Sequence, residues 1–243
     1  MAIDCLNCPL RANPLFQKMS SNELEFMQDF KSDEIRVEAG DPLLVEGARS
    51  PQLFTVLDGL GLRFKTLEDG RRQVLNFVMP GDFLGLQAAF GEEMGHSVEA
   101  TTSMRLCVFK RSDFFSVFAN QPSRAYDVTW IAATEEHFLG EALASIGQRS
   151  AIERIAWGLV QIFERARLLG LNNGNSLHFP YRQQDLADTL GLSLVHTNKT
   201  LAKLRERQLA AWTDHQLTIH DIAGLRKLAM TAPGVLLNER PLM

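Results

Sequence analysis

Cysteine is scarce, with three in 243 residues. Three cysteines cannot all pair within one chain, which excludes a disulfide-stapled scaffold and leads us to expect a reduced, cytoplasmic setting. Long apolar runs are missing too. None approaches the roughly 20 residues of a membrane span, so no membrane partner is expected. The opening MAIDCLNCPLR has no basic start followed by an apolar stretch, so no secretory signal is expected either. There is no Gly-rich phosphate loop, no nucleophile elbow and no H-E-x-x-H, and the expectation is a protein that is not an enzyme. An excess of positive charge is also absent. The formal net charge is −4, so overall basicity does not mark a nucleic-acid binder. What remains is an ordinary globular composition, 45% hydrophobic and 22% charged, long enough for one large domain or two small ones.

The most informative segment is Gln183–Leu204, QQDLADTLGLSLVHTNKTLAKL. Leu186 and Leu190 share the inner side of a short helix, and small Ala187 sits where two crossing helices must approach closely. Gly191 supplies the positive φ of a tight turn. Ser193 can cap a second helix, 193–207, whose inward positions are Thr197, Leu201 and Leu204, and a structural role is expected of Leu194 as well. Its other face carries Val195, His196, Asn198, Lys199 and Lys203, groups suited to phosphates and base edges. This is the pattern of a helix-turn-helix, which reads double-stranded DNA from the major groove. Across Tyr181–Arg207 five cations (Arg182, Lys199, Lys203, Arg205, Arg207) stand against three anions (Asp185, Asp188, Glu206), a local +2. On charge alone a solvated face explains this equally well.

Elsewhere the texture changes three times. Residues 1–19 form a polar segment containing C-x-x-C. A helix is predicted at Ser20–Phe30, with Leu24, Met27 and Phe30 on one face. Strands are predicted at Gln52–Leu57, Gly61–Thr66, Gln73–Val78 and Arg105–Phe109, separated by turn signals such as Asp58-Gly59 and Pro80-Gly81-Asp82. Such spacing favours an antiparallel roll over residues 20–121. A long helix follows over 122–148. Its stripe of Val128, Ile131, Glu135, Phe138, Leu139 and Ala142 suits a dimer seam, or packing on the roll. Residues 149–243 then hold a helix at Ala151–Leu168, a loop at Leu169–Asn175, the helix-turn-helix, a two-stranded wing at Leu209–Ile219 turning at Asp214-His215, and a short helix with a weakly structured tail in Asp221–Met243. The fold class is α+β: a jelly-roll-like β-roll, a long helix and a C-terminal winged helix-turn-helix.

The stretch GLGLRFKTLEDGRRQVLNFVMPGDFLGL (Gly59–Leu86), the long helix, and DLADTLGLSLVHTNKTLAKLRERQL (Asp185–Leu209), in that order, resemble the CRP/FNR family of bacterial transcription regulators over nearly the whole chain. The resemblance implies a homodimer whose β-roll senses a signal and whose paired recognition helices read a near-palindrome, with half-sites roughly 34–36 Å apart. RNA polymerase is the further partner it implies. Gln184 and Ser193 fall at phosphate-holding positions, and Val195, His196, Asn198 and Lys199 at base-reading ones. Well-known members carry an acidic residue in place of Val195 and an arginine in place of Lys199, so a different DNA site is expected.

The resemblance also frames two sensor questions. Cyclic-AMP-binding relatives use a glutamate and an Arg-Ser pair in the stretch matching Gly81–Thr102; here Leu86 and His96-Ser97 stand there. Leucine cannot accept a hydroxyl hydrogen bond, and a mostly neutral histidine replaces the permanent cation, so cyclic AMP is not the expected signal. Oxygen-sensing relatives hold an iron–sulfur cluster (4Fe–4S) on four cysteines. Cys5, Cys8 and Cys107 match three of these positions, Pro14 falls near the remaining one, and Asp4 is a nearby substitute ligand. Three readings stay open: a cluster sensing oxygen or nitric oxide, thiol redox chemistry or zinc at the C-x-x-C pair, and a buried strand cysteine beside an unrelated pair. A reading of another class, a cyclic-nucleotide module acting on a protein partner, is opposed by Leu86, His96 and the complete helix-turn-helix.

Overall fold

The computed structural model describes residues 4–91, 93–231 and 240–243. They fall into two units, one from Met1–Thr66, Asn76–Glu136 and Leu237–Met243, the other from Leu67–Leu75 and His137–Leu236. Two short 3-10 turns, Cys5–Asn7 and Pro9–Ala12, precede α1 (Ser21–Phe30). The chain continues through β1 (Lys31–Val37), β2 (Pro42–Leu44), β3 (Gln52–Asp58), β4 (Gly61–Thr66), β5 (Arg72–Val78), β6 (Phe83–Leu84), α2 (Leu86–Phe90), β7 (Ser97–Ala100), β8 (Met104–Lys110), α3 (Phe115–Asn120) and α4 (Pro122–Gln148). After α5 (Ala151–Leu168) come β9 (Asn172–Asn173), β10 (Ser176–His178), α6 (Gln183–Leu190), α7 (Leu194–Glu206), β11 (Ala210–Thr213), β12 (Gln216–Ile219) and α8 (Ile222–Ala229).

The roll consists of two four-stranded antiparallel sheets, ordered β1-β8-β3-β6 and β2-β7-β4-β5. Alternation along β3 and β8 decides what each face meets. Phe54, Val56, Leu106 and Val108 point into the interior with Leu44, Val78, Val98 and Met104. The intervening Leu53, Thr55, Cys107 and Phe109 point to the opposite face, where Phe109 stacks on Phe30 of α1 at 4.9 Å. Both faces are covered, so both strands are buried nearly throughout. The predicted strands match β3, β4, β5 and β8 to within about a residue. β1, β2, β6 and β7 were not individually predicted, because β2 and β6 are very short and β1 (KSDEIRV) lacks strict alternation.

Helix α1 begins as its sequence dictates. Ser20 N–H donates to Glu23 Oε2 at 2.8 Å and Glu23 N–H to Ser20 Oγ at 3.3 Å, a reciprocal capping box, while Leu24, Met27 and Phe30 are buried. The loop expected at Leu169–Asn175 is instead a small hairpin. Gly174, at φ 59°, lets β9 turn into β10, and β10 pairs with β12 to widen the wing into the order β11-β12-β10-β9. The short helix expected after Asp221 is α8. Part of the expected weak tail, 232–239, lies outside the described residues. The last four residues are ordered in the first unit: Arg240 bridges Phe16, and Leu242 and Met243 are buried.

Candidate nucleic-acid interface

The second unit is organised on α5. Ile155, Ala156, Leu159 and Ala166 are fully buried, and α6, α7 and α8 pack against this helix. At Gly158 an added Cβ would stand 3.4 Å from both Leu190 methyl carbons, so a residue without a side chain lets α5 and α6 close together. Ala187, Leu186 and Leu190 are all fully buried on the inner side of α6. Gly191 ends that helix at φ 63°, and the N–H of Leu192 donates to Ala187 O at 3.0 Å. Arg154 Nη1 donates to the otherwise open carbonyl of Leu190 at 3.3 Å.

The first turn of α6 holds a feature that sequence reasoning misread. Asp185 was counted with Asp188 and Glu206 as one of three anions in the local charge balance. It is 2% exposed and turned inward. Its carboxylate pairs with Arg72, accepts Arg182 Nη2 at 3.0 Å and accepts the Arg182 backbone N–H at 2.8 Å. Both the cap and the charge pair consume its negative charge, so it does not repel a phosphate. Gln184 is half-buried and donates to Asp188 Oδ1 at 2.6 Å, so its amide is held along the helix.

Ser193 Oγ accepts the His196 N–H at 3.2 Å, the N-cap expected from its position. Because Ser193 and Arg207 are the caps, α7 itself occupies one residue less at each end than 193–207. Thr197, Thr200 and Leu204 are its buried positions, and Leu201 is half-buried. Thr200 was missed: its hydroxyl donates to His196 O at 2.8 Å, which lets a polar residue sit inward. Leu194, of which a structural role was expected, is 38% exposed. Val195 (64% exposed), His196, Asn198, Lys199 and Lys203 all stand on the outer face, with Arg205 and Arg207 beyond them. In the wing, Asp214 and His215 have φ of 50° and 58°, a two-residue hairpin turn, and Trp212 packs on Phe179 at 4.7 Å. A 13-residue helix about 20 Å long whose exposed outer face carries His196, Asn198, Lys199 and Lys203 around Val195 fits a groove about 12 Å wide.

The long helix also needs correction. Val128 (2% exposed) and Ile131 (6%) face the interior of the first unit, Glu135 pairs with Arg63, and Phe138 stacks on Trp157 at 6.1 Å. The outward stripe is a different one. Tyr126, Ala133, Gly140 and Gly147 recur at seven-residue steps, and Leu139 (42% exposed) and Leu143 (72%) lie beside them. An added Cβ at Gly140 or Gly147 meets nothing within 4 Å. The sequence stripe missed this register because α4 has two apolar faces.

In the first unit, the polar cavity between the roll and α4 contains none of Leu86, His96 and Ser97. It is lined by Arg63, Asn76, Asp82, Glu135 and Arg240, together with apolar side chains, and measures about 10 Å³. That is room for about one water, whereas small-molecule pockets run to roughly 300 Å³ or more. Leu86 starts α2 and Ser97 Oγ accepts the Glu46 N–H at 3.0 Å. His96 is buried; burial, then the Arg63 guanidinium and Lys65, push it down to about 4, with Glu46 opposing. The folded value lies below the ordinary 6.5, so the stability contributed by neutral His96 is present above pH 6.5 and is lost as pH falls towards 4. We expect His96→Gln to flatten the unfolding free energy across this window by about 2–3 kcal/mol relative to the parent chain. Urea titrations at matched pH values check it; parallel curves for the two chains would refute the assignment.

The neighbouring Cys5 and Cys8 and the sequence-distant Cys107 line one small cavity of about 30 Å³ in the first unit. Cys107 is buried, and burial pushes its thiol up to about 12 against the pull of Lys31. Burial likewise raises Cys5. Among the described residues no group of three or more His, Cys, Asp or Glu side chains is arranged to hold a metal ion. Asp4 is no substitute ligand here, because its carboxylate caps the first turn by accepting the Leu6 N–H at 2.9 Å. A four-iron cluster needs far more space than this cavity offers, so the residues as arranged do not fit the cluster that the resemblance implied.

Comparison with known proteins bears on the whole arrangement. The cyclic nucleotide-binding domain family matches residues 34–121, and the Crp-like helix-turn-helix domain family matches residues 153–228. The transcriptional activatory protein AadR of Rhodopseudomonas palustris is 32% identical over 176 residues, 72% of either chain. The nitrogen fixation regulation protein FixK of Rhizobium meliloti is 32% identical over 175 residues, 72% of this chain and 76% of that one. The solved structure of FixK2 from Bradyrhizobium japonicum has the same fold, with a TM-score of 0.74 at 23% identity over 84% of this chain and 98% of that one. With its β-roll, long helix and winged helix-turn-helix, this chain belongs to the CRP/FNR family of DNA-binding transcription regulators.

Proposed function

We propose that the protein reads a two-fold symmetric DNA site as a dimer paired along α4, with one α7 in the major groove of each half-site. The observation that carries this reading is the outer face of α7, where five side chains suited to DNA are exposed on a helix whose inner face is locked into the unit. Ser193 and Lys203 contact phosphates, joined by Gln184 once its amide leaves Asp188; these contacts set register. Val195 meets a thymine methyl, Lys199 donates to guanine, and His196 and Asn198 address neighbouring base edges. Tyr126, Ala133, Leu139, Gly140 and Leu143 form the seam between copies. Glycines at this spacing let two helix backbones approach closely.

The signal we assign to the roll is not cyclic AMP. The cavity at the roll–α4 junction is closed by the Arg63–Glu135 pair, so the protein's own carboxylate occupies the guanidinium that a ligand anion would otherwise engage. RNA polymerase is the partner a DNA-bound regulator of this kind engages in the cytoplasm, and the chain itself catalyses no reaction.

A selected palindromic duplex and fluorescence anisotropy test the reading. Lys199→Ala is expected to weaken specific binding by about 1–3 kcal/mol and to relax the preference at one base position per half-site. If affinity falls equally for every sequence, Lys199 contacts phosphate instead; if nothing changes, α7 does not enter the groove in this orientation.

A further inference from the structure

The thiol cavity has a lid made from the far end of the chain. Leu242 and Met243 line it together with Cys5, Cys8 and Cys107, and they are 3% and 4% exposed. The segment Arg240–Met243 is anchored by five contacts. Arg240 N–H donates to Leu15 O at 2.7 Å, and Gln17 N–H donates to Arg240 O at 3.0 Å. Arg240 Nη2 pairs with Asp82 Oδ1 at 2.7 Å. The Thr55 hydroxyl donates to Met243 O, and Arg124 Nη1 donates to Leu242 O at 3.4 Å. Thr55 is the cross-strand partner of Cys107, so the strap is fixed directly beside that cysteine. This strap follows the winged helix in sequence and yet belongs to the unit that holds the cysteines.

We propose that Cys5, Cys8 and Cys107 form a thiol modification site gated by the C-terminal strap, and that its reactant is an organic hydroperoxide. The choice of reactant follows from the lining, where Leu10, Leu24, Met27, Leu57 and Phe109 surround the sulfurs with apolar surface. With the strap seated, about 30 Å³ holds a water or two and excludes an organic molecule. With Leu242 and Met243 lifted, Cys107 is open to the reactant. One thiol sulfur attacks the peroxide, its S–O bond forming as the O–O bond breaks, and the alcohol leaves with the thiol proton. A second thiol then attacks the sulfenic sulfur, the S–S bond forming as the S–O bond breaks, and water leaves. Two thiols are oxidised by two electrons, and one hydroperoxide is reduced to alcohol and water. Cys107 joins one member of the C-x-x-C pair.

The test compares the full chain with Leu242→Glu, which places a charge where the strap must bury an apolar side chain. N-Ethylmaleimide labelling is followed cysteine by cysteine by mass spectrometry. Cys107 is expected to label slowly in the parent and about tenfold or more faster in Leu242→Glu. Cumene hydroperoxide is expected to produce a Cys107 disulfide within the chain, faster in the variant and never in Cys107→Ser. Should Leu242→Glu lose its cooperative melt, Arg240→Ala combined with Thr55→Val loosens two anchors without adding charge and serves in its place. Equal Cys107 labelling in the parent and a folded strap variant overturns the gate. Labelling that accelerates without any Cys107 disulfide overturns the hydroperoxide chemistry.

Discussion

A chain carrying Leu139→Glu and Leu143→Glu is expected to sediment as a monomer and to lose affinity for its palindrome on the order of 100-fold. Leu143 is 72% exposed and Leu139 42%, on a helix whose Val128 and Ile131 are buried in their own unit. No intrachain packing accounts for these two. In a dimer each faces its counterpart, so two charges per chain place four carboxylates along one seam. Like charges brought together there cost several kcal/mol, enough to separate a pair held mainly by apolar contact. The loss on DNA follows from geometry. When two recognition helices are joined, the second binds at a high effective concentration, and a monomer forfeits that gain while keeping each half-site contact. Analytical ultracentrifugation reads the assembly and anisotropy reads the affinity. Replacing Val128 instead would damage the fold of the roll, since it is 2% exposed. A dimer that survives both glutamates would place the seam on another face.

Asp185→Ala is expected to destabilise the second unit by about 3–5 kcal/mol. The mutation removes a carboxylate that is 2% exposed and takes from Arg72, whose side chain is 18% exposed, its short ion pair, while the pair with Asp188 at 3.7 Å stays. A half-buried guanidinium deprived of its main partner bears the desolvation cost without the Coulombic return. Arg182 contributes little, because its side chain is 68% exposed and water replaces the lost pair. The same change deletes the acceptor for the Arg182 N–H at the start of α6, an N-terminal cap worth roughly 1 kcal/mol. Urea unfolding followed through Trp157 and Trp212 measures the effect. Adding Arg72→Met to Asp185→Ala should recover part of the loss, since the uncompensated charge is then gone. If the double variant is no more stable than the single one, capping and not charge is the larger contribution.

Much of the DNA-reading half was legible because its determinants are local. Ser193 as a cap, Gly191 at positive φ, Ala187 at the helix crossing and the inward Leu186, Leu190 and Leu204 each follow from spacing of a few residues. The wing turn at Asp214-His215 was legible for the same reason. The partial exposure of Leu194 was not legible, because a residue just after the cap lies at a helix end, where burial depends on neighbours that the sequence does not order. Asp185 was misread because a carboxylate looks the same in sequence whether it faces water or a guanidinium 113 residues away. The stripe read on α4 mixes buried Val128 and Ile131 with exposed Leu139, because a helix with apolar residues on two faces offers two stripes and only packing shows which is buried.

By itself the sequence determined the order of parts, a roll, a long helix and a winged helix, and which face of α7 stays exposed. Backbone conformation and helical period are properties of short stretches, and caps, glycines and alternating apolar residues encode them directly. The tertiary structure alone decided that Cys5, Cys8 and Cys107 share a cavity, that Leu242 and Met243 close it, and that Arg63 and Glu135 meet at the roll–α4 junction. These groups are brought together by chain reversals over tens to hundreds of residues. No periodicity records such a meeting, because it depends on how complete layers of side chains fill space and on which charges must be neutralised once water is gone.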